Sequence, residues 1–184
     1  MKISVIDVGS NSVRLMVMAD GKTLYKRLDT TRLGEGLATS GVLKPEAIER
    51  TARAVQIFAA AAELSGAGTP YVFATASVRS AANGADFVAR VKQLYSIDVD
   101  VISGEEEAAC GIAGALRGSD GGIIDLGGAS TEITLQKGGK KVYSKSVNIG
   151  TVRLYDLAGE DSAALDKVIE ERLSDYGNLT LAGT

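Results

Sequence analysis

Apolar residues are grouped at the start of the chain in short runs of the kind that form strands. Residues 3–6 are one such run, residues 13–18 a second and residues 23–28 a third, the last set off by Asp20-Gly21, a dipeptide that closes two-residue hairpins. They predict an antiparallel meander. The stretch TTRLGEGLATSGVL then reads as loop, with Arg32 and Glu35 as its charges. Pro45 suits the first turn of a helix, and Ile48, Ala52, Val55, Ala59 and Ala62 recur by four and three until Gly66. Residues 71–74 predict a buried strand leading into ATASVRSAAN. Phe87, Val91 and Leu94 then share one face of a helix whose expected cap is Asn83. Residues 97–102 predict another strand, and Ser103 with Glu106 has capping-box spacing for a helix running to about Leu116.

The pattern loosens at RGSDGG and then starts again. Residues 122–126, 131–136 and 142–147 predict a second meander, with Gly138-Gly139 as one of its turns. Leu165, Val168, Ile169 and Leu173 mark a later helix ending at Gly177, and residues 178–184 read as a further strand. The plan is a repeat: residues 1–119 form one α/β unit, and residues 120–184 begin a second, incomplete one. Strand meanders followed by helix-linked strands indicate mixed sheets covered by helices.

Composition narrows the chemistry. The chain has 184 residues, no histidine and one cysteine, which excludes histidine-based nucleophilic catalysis, histidine-ligated metals and an internal disulfide. Cys110, beside Ala108, Ala109 and Ile112, is expected to be a small packed hydrophobe. Net charge is −3, no dense basic run occurs, and there is no Trp, so nucleic acid is not an expected partner. No apolar run approaches membrane-spanning length, and the N-terminus enters a strand at once, so the expected compartment is the cytoplasm. Chemistry must come from carboxylates, hydroxyls, Lys or Arg, backbone amides and oxygen-bound metal.

Two hairpins carry candidates for that chemistry. In VIDVGSNSVRL, Asp7 leads into Gly9, Ser10, Asn11 and Ser12; in IIDLGGASTEIT, Asp125 leads into Gly127, Gly128, Ala129 and Ser130. Small residues let an anion approach successive backbone N–H groups, so the pair predicts two halves of a phosphate clamp. Asp7 and Asp125 end strands at those turns, where they can hold Mg²⁺ or another divalent cation, or simply cap the turns. Glu105, Glu106 and Glu107 lie in a first helical turn, where the macrodipole favours acids. Glu107 sits over the small residues Cys110, Gly111 and Gly114, which leaves room for an approaching group. Glu132 on its own reads as an exposed strand position. Arg79 lies between a strand and a helix start, where ligand sites collect in α/β folds; Arg14 and Arg32 are weaker candidates.

VIDVGSNSVRL, RLGEGL, ATASVRSAAN, ISGEEEA, IDLGGASTE and NIGTVRL, in this order and spacing, resemble the exopolyphosphatase/guanosine pentaphosphate phosphohydrolase (Ppx/GppA) family of the actin-like ATPase superfamily. The resemblance implies two ribonuclease-H-like domains clamping phosphate between paired hairpins, with the second domain incomplete here. It implies hydrolysis of terminal phosphoanhydride bonds of inorganic polyphosphate or guanosine pentaphosphate in an interdomain cleft. By the same resemblance, Glu107 is the catalytic glutamate, Glu132 a supporting acid, Asp125 more than Asp7 metal-associated, and Arg79 a phosphate contact. Ala129 departs from the family's usual third glycine, which matters if that residue needs φ > 0. An actin-like kinase and a non-catalytic polyphosphate or nucleotide sensor remain alternatives. An unfinished second sheet leaves an edge strand that a homodimer would cover.

Overall fold

The computed structural model describes residues 1–173. Strand β1 (Lys2–Val8) contains the expected apolar run and alternates in burial, with Ser4, Ile6 and Val8 buried on one face and Asp7 turned to the other. It pairs antiparallel with β2 (Val13–Ala19), and β2 pairs antiparallel with β3 (Lys22–Asp29). Asp20 and Gly21 take φ of 50° and 76°, the positive values a tight hairpin turn needs. On the other side of β1 lie β4 (Tyr71–Ala74) and β5 (Val99–Val101), both parallel to their inner neighbour, which completes the order β3-β2-β1-β4-β5.

Parallel neighbours need crossovers, and helices supply them. The chain between β3 and β4 carries α1 (Leu37–Ser40) and α2 (Pro45–Leu64); that between β4 and β5 carries α3 (Ala76–Ser80) and α4 (Gly84–Tyr95). The core lies between sheet and helices: Ile6, Val8, Val13, Leu15 and Val17 from the strands meet Ala52, Val55 and Ala59 of α2 and Phe87 and Val91 of α4. Each fully buried Val, Leu or Phe contributes roughly 1.5–3 kcal/mol.

Helix α5 (Gly104–Leu116) leads to the second sheet and begins with the expected capping box. Ser103 N–H donates to the Glu106 carboxylate at 2.8 Å, and Glu106 N–H donates to Ser103 Oγ at 3.2 Å. Strands β6 (Gly121–Leu126), β7 (Thr131–Lys137) and β8 (Lys140–Val147) form an antiparallel sheet in that order. Gly111 lets α5 lie close to it, since a Cβ there would stand 3.1 Å from Ile123 Cδ1. Helices α6 (Thr151–Ala158) and α7 (Ser162–Leu173) follow. No helix among the described residues is long and apolar enough to cross a membrane.

Several expectations are corrected. The loop after β3 contains α1, one turn bounded by Gly36 and Gly41, both at φ 74° and too short to show a period. ATASVRSAAN contains α3, and NIGTVRL opens α6, an additional helix before the predicted one. Asn83 precedes α4 but its side chain does not cap it. The Asn83 amide instead receives the Leu43 N–H at 2.7 Å and donates to the Leu43 carbonyl at 3.0 Å, strapping α4 to the approach of α2. The strand expected over residues 97–102 shortens to β5. Cys110 is exposed, because α5 turns its Ala108 and Ile112 stripe inward instead. The second sheet is the antiparallel meander expected over residues 122–147. The expected helix end at Gly177 and the strand at residues 178–184 lie outside the described residues.

Candidate active site

The two glycine-rich turns close in the same way. Gly9 N–H donates to the Ser12 carbonyl at 3.0 Å, and Gly127 N–H donates to the Ser130 carbonyl at 2.9 Å. Ser10, Ser12 and Ser130 are buried. The turns also touch: a Cβ on Gly128 would lie 2.9 Å from Ser10 Cβ and 3.1 Å from the Asn11 nitrogen. A side chain there would push the two halves apart.

Helix α6 orients the second turn. Thr151 N–H donates to the Gly127 carbonyl at 3.0 Å, while Val152 and Arg153 N–H both donate to the Gly128 carbonyl, at 2.8 and 3.0 Å. Arg153 Nε–H donates to the Ala129 carbonyl at 2.8 Å. In a trans peptide the C=O and the following N–H point opposite ways. Fastening three consecutive carbonyls to α6 therefore turns the N–H groups of Gly128, Ala129 and Ser130, residues that line the cleft between the turns, away from those partners. Those three donors have no acceptor among the described residues. Ala129 is not at positive φ, so its methyl is carried without backbone strain.

A cleft of about 110 Å³ lies between the turns, with Asp7, Arg14, Thr75, Glu107 and Asp125 on its walls. Asp7 and Thr75 come from the carboxyl ends of the adjacent parallel strands β1 and β4, where ligands collect in such sheets. Asp7 pairs across the hairpin with Arg14, and Asp125 pairs with Glu132. Burial pushes the Asp7 carboxyl above its ordinary range, Arg14 opposes this, and the charge of Asp125 adds to it. Glu107 is pushed up to about 7, first by burial and then by the charge of Glu132, against the pull of Arg79, with a further upward contribution from Asp7. Acids on four different elements thus feel one another across the cleft.

Glu107 stands at the cleft. Glu132 is only 4% exposed, contrary to the exposed position its strand pattern suggests, and accepts a hydrogen bond from Ser146 Oγ at 2.7 Å. Arg79 closes the last turn of α3 and is not a wall of the cleft. Its guanidinium donates to the Ile102 carbonyl at 2.6 Å and pairs with Glu107 at 3.3 Å. The geometry makes it a brace for Glu107, where the resemblance implied a phosphate contact.

Thr75, Ser146, Gly150 and Arg153 escaped the sequence reading. Gly150 and Arg153 had a visible signal in NIGTVRL and Thr75 in ATASVRSAAN; Ser146 depends on a pairing made only by folding. No group of three or more acids or thiols among the described residues is arranged to hold a metal ion alone. Asp7 and Asp125 are the carboxylates on the cleft walls that could hold a divalent cation such as Mg²⁺.

Comparison with known proteins bears on the family and the fold. The model of the Ppx/GppA phosphatase family matches residues 13–178. The chain is similar to the crystal structure of an exopolyphosphatase from Cytophaga hutchinsonii, with 26% identity and a TM-score of 0.83 over 96% of this chain and 62% of that one. It is similar to the Aquifex aeolicus Ppx/GppA family member, with 30% identity and a TM-score of 0.70 over 96% of this chain and 61% of that one. An exopolyphosphatase-like protein shares the fold at 24% identity and a TM-score of 0.86, over 95% of this chain and 61% of that one. The chain therefore spans about three fifths of the length of these relatives. The fold is the α/β actin-like ATPase type.

Proposed function

Because the chain belongs to the Ppx/GppA phosphatase family, we propose that it is a phosphohydrolase cleaving terminal phosphoanhydride bonds of inorganic polyphosphate, guanosine pentaphosphate or both. The observation that carries this reading is the pair of identically closed turns in contact, with Glu107 at the cleft between them. The similar protein from Cytophaga hutchinsonii, an exopolyphosphatase, favours the polyphosphate arm.

Phosphoryl transfer needs positioning and charge stabilisation more than covalent help. The N–H groups of residues 128–130 and the Ser10, Ser12 and Ser130 hydroxyls hold oxygens of the terminal phosphate. Glu107 orients the attacking water and takes its proton, a role for which a carboxyl titrating near neutrality is suited. Glu132, fixed by Ser146, keeps that carboxyl from drifting to lower pKa. Asp125 and Asp7 would hold Mg²⁺, which when bound neutralises charge on the phosphate oxygens. Since Ala129 is unstrained, its methyl gives no ground for preferring a silent sensor.

Phosphate release from long-chain polyphosphate and from guanosine pentaphosphate, read by malachite green, tests the proposal. Glu107→Gln is expected to lose about 10²–10⁴-fold in turnover. Undiminished release from both substrates would remove Glu107 from the mechanism, and no release by the wild-type protein would overturn the reading.

A further inference from the structure

A second cavity, of about 650 Å³, opens beside the paired turns. One wall carries Arg32, Glu35 and Lys44; the facing wall is α6, with Thr151, Tyr155 and Asp156. Asn11 lines both this cavity and the phosphate cleft, so the two meet at the first turn.

The Arg32 wall is fastened to that turn. Arg32 N–H donates to the Asn11 carbonyl at 2.9 Å and Gly34 N–H donates to the Ser10 carbonyl at 2.8 Å. Arg32 takes φ 48°, a left-handed conformation that a side-chain-bearing residue adopts at a cost. Such strain persists where surrounding contacts impose it, and here they impose it next to the phosphate turn. The charges then separate. Glu35 is flanked by Lys44 at 3.5 Å and Arg50 at 3.6 Å, and Asp156 accepts the Ala38 N–H at 3.4 Å. Arg32 has no carboxylate partner among the described residues. The Arg32 backbone is fixed beside the first turn, and its exposed guanidinium, without a carboxylate, is a ready donor fork for further phosphate oxygens.

We infer that this cavity is the leaving-group subsite, taking the phosphate units next to the one held by the paired turns, with Arg32 as the principal contact. The inference rests on the phosphohydrolase reading above. In the reaction, a water oxygen bonds to the terminal phosphorus and its proton passes to Glu107. The bond to the bridging oxygen breaks, and the electron pair stays on that oxygen, on the phosphate next in line. Negative charge grows there as the bond breaks, so a guanidinium at that place stabilises the transition state as well as the bound chain. The units in the subsite can belong to an inorganic chain or to a nucleoside polyphosphate. Tyr155, with 61% of its surface exposed, offers a ring face on which a base could stack.

Titration calorimetry in the Glu107→Gln background, which keeps probes intact, tests the subsite with orthophosphate, inorganic triphosphate and GTP. Adding Arg32→Ala is expected to weaken triphosphate about tenfold and leave orthophosphate unchanged, with Arg32→Lys recovering part of the loss. Triphosphate binding that is indifferent to Arg32→Ala would overturn the subsite and leave the phosphohydrolase reading standing. Failure of Glu107→Gln protein with Arg32 intact to bind either orthophosphate or triphosphate would overturn both. GTP binding tighter than triphosphate, with the difference erased by Tyr155→Ala, assigns the subsite to nucleoside polyphosphates; equal affinities assign it to the inorganic chain.

Discussion

Gly150 presses against Ala129 so closely that a Cβ on the glycine would lie 2.5 Å from the Ala129 nitrogen. The contact seats the first turn of α6 on the second glycine-rich turn, and that seating lets α6 take three of the turn's carbonyls. A single added methyl therefore reaches the proposed anion site through the backbone. Gly150→Ala is expected to cost about 1–3 kcal/mol of stability by overpacking and to weaken orthophosphate binding. Thermal unfolding and calorimetry check this; unchanged phosphate affinity would separate α6 from the orientation of the turn.

As the proposed base, Glu107 is expected to make activity depend on pH. Its carboxyl, with Arg79, Glu132 and Asp7 around it, titrates at about 7, so kcat/KM is expected to rise through neutrality as the base ionises. Glu107→Gln removes that limb. Stability runs the other way: the folded protein holds a proton that the unfolded chain has already released, so stability falls as pH rises from the ordinary glutamate range toward 7. Glu107→Gln should therefore have the higher Tm at pH 8, with a smaller difference at pH 5. An equal difference at both values would show that the carboxyl is not perturbed.

Arg79 braces Glu107 and the end of β5 through the Ile102 carbonyl, and does not line the cleft. Arg79→Ala is expected to lower kcat and move the acid limb to higher pH, because Arg79 pulls the Glu107 carboxyl down. KM should change little. A raised KM with an unmoved limb would return Arg79 to the role of a phosphate contact.

Ser146 holds the buried Glu132. Ser146→Ala leaves a buried carboxylate short of a hydrogen bond, at a cost of about 1–3 kcal/mol. Chemical denaturation is the check, and Ser146→Thr, which keeps the hydroxyl, should recover part of the loss.

Much of the first sheet was legible because its signals are local. The apolar run in β1, Asp20-Gly21 before β3, Pro45 at the start of α2 and the Ser103–Glu106 box each act within a few residues. The short helices α1 and α3 were not legible, since one turn is less than a period and glycine or tertiary packing sets their ends. Asn83 has the chemistry of a cap, yet Leu43, forty residues away, offered both a donor and an acceptor and took its amide.

The same division runs through the site. The amino-acid sequence by itself determined that two small-residue turns each follow a strand-ending aspartate, and that no base can be a histidine, because none exists. Only the tertiary structure decided that the turns touch, that Glu132 is buried under Ser146, that Arg79 faces Glu107, and that Arg32 is left without a carboxylate at the next cavity. Turn chemistry is written in neighbouring residues, whereas burial, charge pairing and the direction of a backbone N–H depend on which distant elements the fold brings alongside.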